Sequence, residues 1–286
     1  MTGVGAALAA AIERLGTAGV PEPRPDAEVL LARALGTSRA GVITRAREPL
    51  SPEAAARLER LLARRAAREP VHYLLGEREF WSLLLAVDRR VLIPRPETEL
   101  LVETALGVAP AARRVLDLGT GSGAIAAALA RAWPAARIWA SDLCPDALAV
   151  ARANFARHAP AVRGVAADLV APFRSGTFDL IVSNPPYVSD VELSRLAPEV
   201  RDHEPRAALG GGPDGLAVIR RLLAEVPRAL AAGGWLVMEI GAGQAAAVHE
   251  LVAADGRWLG PRLWRDHAAV ERVVAVERRG GEWTRS

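Results

Sequence analysis

Val115-Leu116-Asp117-Leu118-Gly119-Thr120-Gly121-Ser122-Gly123 decides the fold. A short apolar strand runs into three glycines, which let the backbone turn tightly and approach a ligand with no side chains in the way. Ala124 to Ala132 then reads as a helix. Outward from this unit the pattern repeats. Ile138-Trp139-Ala140 is a second strand, followed by a helix from Pro145. Val162 to Ala166 is a third strand, and Asp179-Leu180-Ile181-Val182 a fourth. A helix over 214–231 precedes a fifth strand, Trp235 to Ile240, and Val273-Val274-Ala275-Val276 closes the series. Alternating strands and helices predict an α/β fold, a parallel sheet wound with helices on both faces. In such sheets ligands bind beyond the carboxyl ends of the strands.

The 286 residues suffice for this large domain and a small one. Residues 1–76 read as helices. Ser51-Pro52-Glu53 is a strong helix start: a capping hydroxyl, a proline at the first helical position, an acid in the first turn. Leu58, Leu61 and Leu62 recur at helical spacing with arginines opposite. Residues 77–95 form a candidate linker. Glu79 to Leu83 and Arg90 to Ile93 predict a hairpin turning at Asp88-Arg89. Pro94-Arg95-Pro96 ends it, and Glu97 to Leu106 resumes as a helix. The expected domains are 1–76, helical and substrate-recognising, then the 77–95 hairpin linker, then 96–286, catalytic.

Composition narrows the class. Hydrophobic residues are 51% and charged residues 24% of the chain, a globular balance. No long apolar run lacks charges, so no membrane span is expected. The alanine-rich start carries Glu13 and Arg14 and reads as an amphipathic helix rather than a signal peptide. Cys144 is the single cysteine, which rules out an internal disulfide and a cysteine-based zinc site. A cytoplasmic protein without a bound metal is expected. Every basic side chain among the Lys and Arg residues is arginine, and the net charge is +3. Residues 1–76 hold 11 Arg against 8 Asp and Glu, whereas 77–286 hold 25 of each. The excess reads as a solvated helical surface rather than an acidic-partner site.

The glycine loop suits two cofactors. With Ala124 it also fits the dinucleotide pattern, and Asp142 ends the second strand where a ribose-binding acid belongs in either case. Asp117 favours S-adenosylmethionine, since a carboxylate there suits a cationic amino-acid ligand rather than a pyrophosphate. Asp168, after the third strand, is placed to accept from an adenine amino group.

Ser183-Asn184-Pro185-Pro186-Tyr187 follows the fourth strand directly and decides for methyl transfer. An amide nitrogen is a poor nucleophile because its lone pair is delocalised into the carbonyl. Two acceptors aimed at its N–H bonds hold it in place and favour positive charge on nitrogen. The Asn184 side-chain oxygen is one, and the Pro185 carbonyl is the natural second. The prolines stiffen the loop, and Tyr187 offers a flat face to a planar group. A methyl on a sulfonium is already activated, so alignment and electrostatics supply most of the catalysis. Asn184, Pro185 and Tyr187 are the expected catalytic residues.

Several segments together resemble one family, the bacterial protein-glutamine methyltransferases that modify peptide chain release factors. Glu69 to Gly76 resembles its domain junction, and Ile93-Pro94-Arg95-Pro96-Glu97-Thr98-Glu99 its segment bordering the substrate pocket. Asp117 to Gly123 matches its cofactor loop and Asn184 to Tyr187 its catalytic motif. Glu199 to Arg206, Gly211 to Leu216, and Arg265-Asp266 with Glu271 to Val274 resemble later segments. The resemblance implies a Rossmann-like seven-stranded S-adenosylmethionine-dependent methyltransferase domain behind a small N-terminal helical domain. It implies methylation of the glutamine in the Gly-Gly-Gln motif of class-one release factors, with S-adenosylhomocysteine as product. It implies a cofactor pocket of Gly119, Thr120, Gly121, Ser122, Gly123, Asp142, Asp168, Leu169 and Asn184. The glutamine pocket is implied to hold Asn184, Pro185, Pro186 and Tyr187, bordered by Arg95 and Glu97. A monomer with no stable nucleic-acid or membrane partner is expected. Leu169 stands where many relatives have an aromatic, Ser82 where the family has glycine after Phe-Trp, and Ala269 where it often has glycine. The catalytic motif is shared with nucleic-acid adenine methyltransferases, so an exocyclic amino group is an alternative acceptor. The balanced charge of 77–286 argues against it. A ribosomal-protein glutamine is the other alternative.

Overall fold

The computed structural model describes residues 3–280; the outer limits of the expected domains, 1 and 286, lie outside the described residues. Five helices fill the N-terminal part: α1 (Val4–Thr17), α2 (Pro23–Leu35), α3 (Arg39–Thr44), α4 (Pro52–Ala66) and α5 (Val71–Leu75). Ser51 caps α4 as its residue type predicts, its hydroxyl oxygen accepting from the Ala54 amide at 3.2 Å. Leu58 and Leu62 of α4 bury against Leu30, Leu31, Leu15 and Val4 in one small core.

The chain divides into two compact units. One runs through Glu77 and also takes in Ala197–His203, a segment that sequence order assigns to the catalytic part. Glu199 explains its capture. The Arg68 guanidinium donates to Glu199 from Nε and Nη2 at 2.7 Å each, and Arg65 Nη2 adds a contact at 3.0 Å. Arg65 is itself buried and paired with Asp26 at 2.7 Å. Hydrogen bonds from these arginines, outweighing the opposing effect of burial, hold the Glu199 carboxyl down at about 2.

The second unit holds Arg78–Leu196 and the chain from Glu204. It begins with the predicted hairpin, in a different register. The strands are β1 (Glu77–Phe80) and β2 (Leu83–Ala86), and Arg90–Ile93 is not a strand. The turn falls at Trp81 and Ser82, whose φ angles are +52° and +56°. Two consecutive positive φ values are what a tight two-residue hairpin requires, and Asn-Gly is the pair that usually supplies them. Trp-Ser carries no such signal. Asp88 instead makes a local turn, its Oδ1 accepting from the Arg90 amide at 3.0 Å.

Then come α6 (Glu99–Val108), β3 (Arg114–Leu118), α7 (Ala124–Ala132), β4 (Arg137–Asp142), α8 (Pro145–His158), β5 (Arg163–Ala166) and β6 (Phe178–Ser183). Two single-turn helices, α9 (Asp190–Leu193) and α10 (Pro198–Arg201), precede α11 (Ala217–Ala229), β7 (Leu230–Glu239), α12 (Ala245–Ala254), β8 (Arg262–Arg265) and β9 (Glu271–Glu277). The strands form one sheet in the order β5-β4-β3-β6-β7-β9-β8. β3, β4, β5, β6 and β7 pair in parallel, whereas β9 runs antiparallel to both β7 and β8. β8 and α12 are additions to the predicted elements. Valine, leucine and isoleucine bury both faces of the central strands, which is why those strands read as continuous apolar runs.

The order positions the site. β4 lies on one side of β3 and β6 on the other, so strand order reverses between β3 and β6, where a crevice opens. Leu118 is in register with Ser141 and with Ser183. Three loops therefore leave neighbouring strands at one level: 119–123, the turn after Asp142, and 184–187.

Candidate active site

Between these loops lies a cavity of about 430 Å³, within the size range of small-molecule sites. Gly119, Thr120, Gly121 and Ser122 line it together with Asp142, Asp168, Leu169, Asn184, Pro185, Pro186, Arg95 and Thr98. The structure thus brings together most of the residues singled out from sequence. Asp117, Gly123, Glu97 and Tyr187 are not on its wall.

Each of the four has a physical reason for lying elsewhere. A Cβ on Gly123 would lie 2.5 Å from a ring carbon of Phe155, so this glycine lets α7 and α8 approach beneath the loop. Glu97 is exposed, and its neighbour Thr98 faces the cavity instead. The Tyr187 hydroxyl donates to Glu239 Oε1 at 2.9 Å, and its backbone carbonyl accepts from Gln244 Nε2 at 3.0 Å. Asp117 lies under the glycine loop, fully buried. Its Oδ2 accepts from Thr120 Oγ1 at 2.6 Å and from the Ala126 amide at 3.1 Å, while Oδ1 has no hydrogen-bond partner among the described residues.

Burial pushes the Asp117 carboxyl up to about 7, against the pull of the two hydrogen bonds and with help from the nearby Asp142 charge. Its pKa in the folded protein is therefore above its unfolded value. Stability from this group is fully present below the ordinary carboxylate range and is lost as pH rises through about 7. The substitution Asp117→Asn should flatten the fall in melting temperature between about pH 4 and pH 7. Equal slopes in the variant and the parent would contradict this account of Asp117.

Asp142 ends β4 and braces the loop. Its Oδ2 accepts from the Gly121 amide at 2.9 Å and its Oδ1 from the Cys144 amide at 2.8 Å. Asp168 is exposed and paired with Arg221, one guanidinium nitrogen lying 3.0 Å and 2.9 Å from its two oxygens. Leu169 has a φ of +45°, rare for a branched side chain, and turns the chain at the cavity wall. Arg95 Nη2 donates to Glu204 Oε1 at 2.7 Å. Burial raises the Glu204 carboxyl, and Arg95 opposes that rise.

At the other end, Asn184 Nδ2 donates to Thr98 Oγ1 at 3.1 Å, and Thr98 Oγ1 donates to Glu239 Oε2 at 2.7 Å. Sequence reading includes Thr98 in the segment bordering the pocket but gives neither Thr98 nor Glu239 a role of its own. Glu239 lies in an apolar strand, where a lone acid within a core run is the available signal. No cluster of three or more His, Cys, Asp or Glu able to hold a metal occurs among the described residues. None of the described helices is long and apolar enough to cross a membrane.

Comparisons with known proteins find relatives over most of the chain. The family described as "PrmC N-terminal domain" matches residues 6–76, and "Methyltransferase small domain" matches 96–200. A release factor glutamine methyltransferase of Geobacter sulfurreducens is 46% identical over 238 residues, 83% of this chain and 84% of the relative. One from Moorella thermoacetica is 42% identical over 277 residues, 96% of this chain and 98% of the relative. Among solved structures, a methyltransferase from Pyrococcus furiosus superposes with a TM-score of 0.52 at 20% identity, covering 79% of this chain and 99% of that one. This last likeness concerns the fold alone.

Proposed function

The chain belongs to the family of release factor glutamine methyltransferases, and we propose on that footing that it methylates the side-chain amide nitrogen of the glutamine in the Gly-Gly-Gln motif of class-one release factors. The observation that carries the reading is the placement of Asn184 and Pro185 on the wall of the cavity formed by the glycine loop. The cavity suits S-adenosylmethionine. Nothing lies within 4 Å of where a Cβ would sit on Gly119 or Gly121, so bare backbone is open to a ligand there. Gly119 to Ser122, Asp142, Asp168 and Leu169 would hold it. When bound it supplies an electrophilic methyl on a sulfonium and is released as S-adenosylhomocysteine.

The chain's own residues orient the acceptor. The Asn184 Oδ1 and the Pro185 carbonyl accept from the two N–H bonds of the glutamine amide and aim its nitrogen at the methyl. As the N–C bond forms, charge grows on nitrogen, and these acceptors stabilise it. The displaced proton leaves to water. Tyr187 stiffens the loop that carries both acceptors, and Arg95 borders the entrance. We infer a cytoplasmic monomer with no stable nucleic-acid or membrane partner. The single cysteine, which fits a reducing compartment, and the equal numbers of arginines and acids in residues 77–286, which argue against a nucleic-acid groove, support that inference.

A glutamine side chain offers too little surface to select one protein, since specific complexes bury on the order of 1,200–2,000 Å². The helical unit is the proposed second contact surface. A chain shortened to begin near Gly76 is expected to bind cofactor and to methylate a short Gly-Gly-Gln peptide slowly. On the intact release factor it should lose most activity through a raised KM. The shortened chain also lacks Arg65 and Arg68, which hold Glu199, so its folding is to be checked in parallel. Equal kcat/KM losses on peptide and protein, in a folded chain, would leave the helices a shielding role only.

A further inference from the structure

Glu239 is almost fully buried at the end of β7, and it does not border the cavity. Its two oxygens accept from two different hydroxyls, Thr98 at 2.7 Å and Tyr187 at 2.9 Å. A hydroxyl has one proton to give. With that of Thr98 committed to Glu239, Thr98 Oγ1 can only accept from its other neighbour. That neighbour is the Asn184 side chain, and Nδ2 stands there at 3.1 Å. The Asn184 oxygen is thereby left for the cavity.

We propose that Glu239 is a positioning residue for the methyl transfer, setting through Thr98 which end of the Asn184 amide faces the substrate and through Tyr187 the loop that carries it. The proposal rests on the reading of Asn184 as an acceptor of the substrate's amide protons. The two ends of an asparagine amide have nearly the same shape, so packing cannot choose between them and hydrogen bonds must. Turned end for end, Asn184 would present a donor to the donor N–H bonds of a glutamine. Presenting its oxygen, it accepts from an amide and repels a carboxylate, which distinguishes glutamine from glutamate. A carboxylate also suits the role better than its neutral isostere. It accepts from both hydroxyls and donates to neither, whereas a buried glutamine would put an NH₂ beside one of them. Burial raises the Glu239 carboxyl and is the largest influence on it; the Thr98 and Tyr187 hydroxyls and then Arg272 favour its charge, and Glu97 opposes it. Burying that charge costs stability that a purely structural contact has no need to spend.

Glu239→Gln, Thr98→Val and Thr98→Ser in the full chain test this with intact release factor as substrate. Glu239→Gln should melt at or above the parent temperature and bind S-adenosylmethionine with unchanged Kd, while kcat falls about tenfold or more. Thr98→Val should lose turnover in the same way, and Thr98→Ser, which keeps the hydroxyl, should recover most of it. Turnover of Glu239→Gln within threefold of the parent overturns the proposal. So does a turnover loss matched by lost melting temperature and cofactor affinity, which marks a structural role. If Glu239→Gln does not fold, the Thr98 pair decides: Val and Ser behaving alike overturns the proposal, and Ser alone active supports it. A parent enzyme that fails to methylate release factor refutes the functional reading itself, and the proposal falls with it.

Discussion

Asn184→Ala is expected to lower turnover by about 10²–10³-fold with cofactor binding largely intact, the scale of losing one preorganised polar contact at a reacting group. The expectation follows from how little else the site offers. The donor, a methyl on a sulfonium, needs no activation by the protein. Rate acceleration therefore depends on holding a weakly nucleophilic amide in line and accepting from its protons. In the proposed mechanism Asn184 supplies one of two acceptors, and its Nδ2 donates to Thr98 Oγ1 at 3.1 Å. Alanine removes the acceptor and leaves the glycine loop and Asp142 untouched. Single-turnover kinetics with calorimetry of S-adenosylmethionine binding separates the two effects. Turnover within a factor of three of the parent would remove Asn184 from the catalytic role.

Asp142→Ala is expected to weaken S-adenosylmethionine binding by about 1.5–3 kcal/mol, the loss of a charge-assisted pair of ribose hydrogen bonds. The structure adds a reason to expect the upper end. Both Asp142 oxygens also accept from backbone amides, of Gly121 and Cys144, so alanine loosens the loop that a cofactor would approach. The loss is to be read as a higher Kd by calorimetry. Tight NAD binding without S-adenosylmethionine binding in the parent would overturn the cofactor assignment altogether.

The central architecture is legible because its signals are local. A glycine run after a short apolar strand, and Asn-Pro-Pro-Tyr after another, are visible without knowing which strands are neighbours. Their meeting across β3 and β6 follows from the handedness and order of parallel sheets. What stays hidden depends on partners distant in sequence. Thr98 and Glu239 are 141 positions apart and meet only when α6 packs at the end of β7. Asp168 reads as free for an adenine, yet Arg221 pairs with it. Ala197–His203 reads as part of the catalytic domain, yet Arg65 and Arg68 draw Glu199 into the helical unit. The hairpin register fails for a local reason, since Trp81-Ser82 adopts positive φ without a residue type that announces it. β8 escapes because it is an edge strand, Arg262–Arg265, with too little apolar alternation to be seen.

The most direct test is mass spectrometry of purified class-one release factor after incubation with the enzyme and S-adenosylmethionine. The expected result is one added methyl group, located by fragmentation on the glutamine of the Gly-Gly-Gln motif and absent when Asn184→Ala replaces the parent enzyme. An unmodified release factor, or a methyl group on any other residue, would contradict the account.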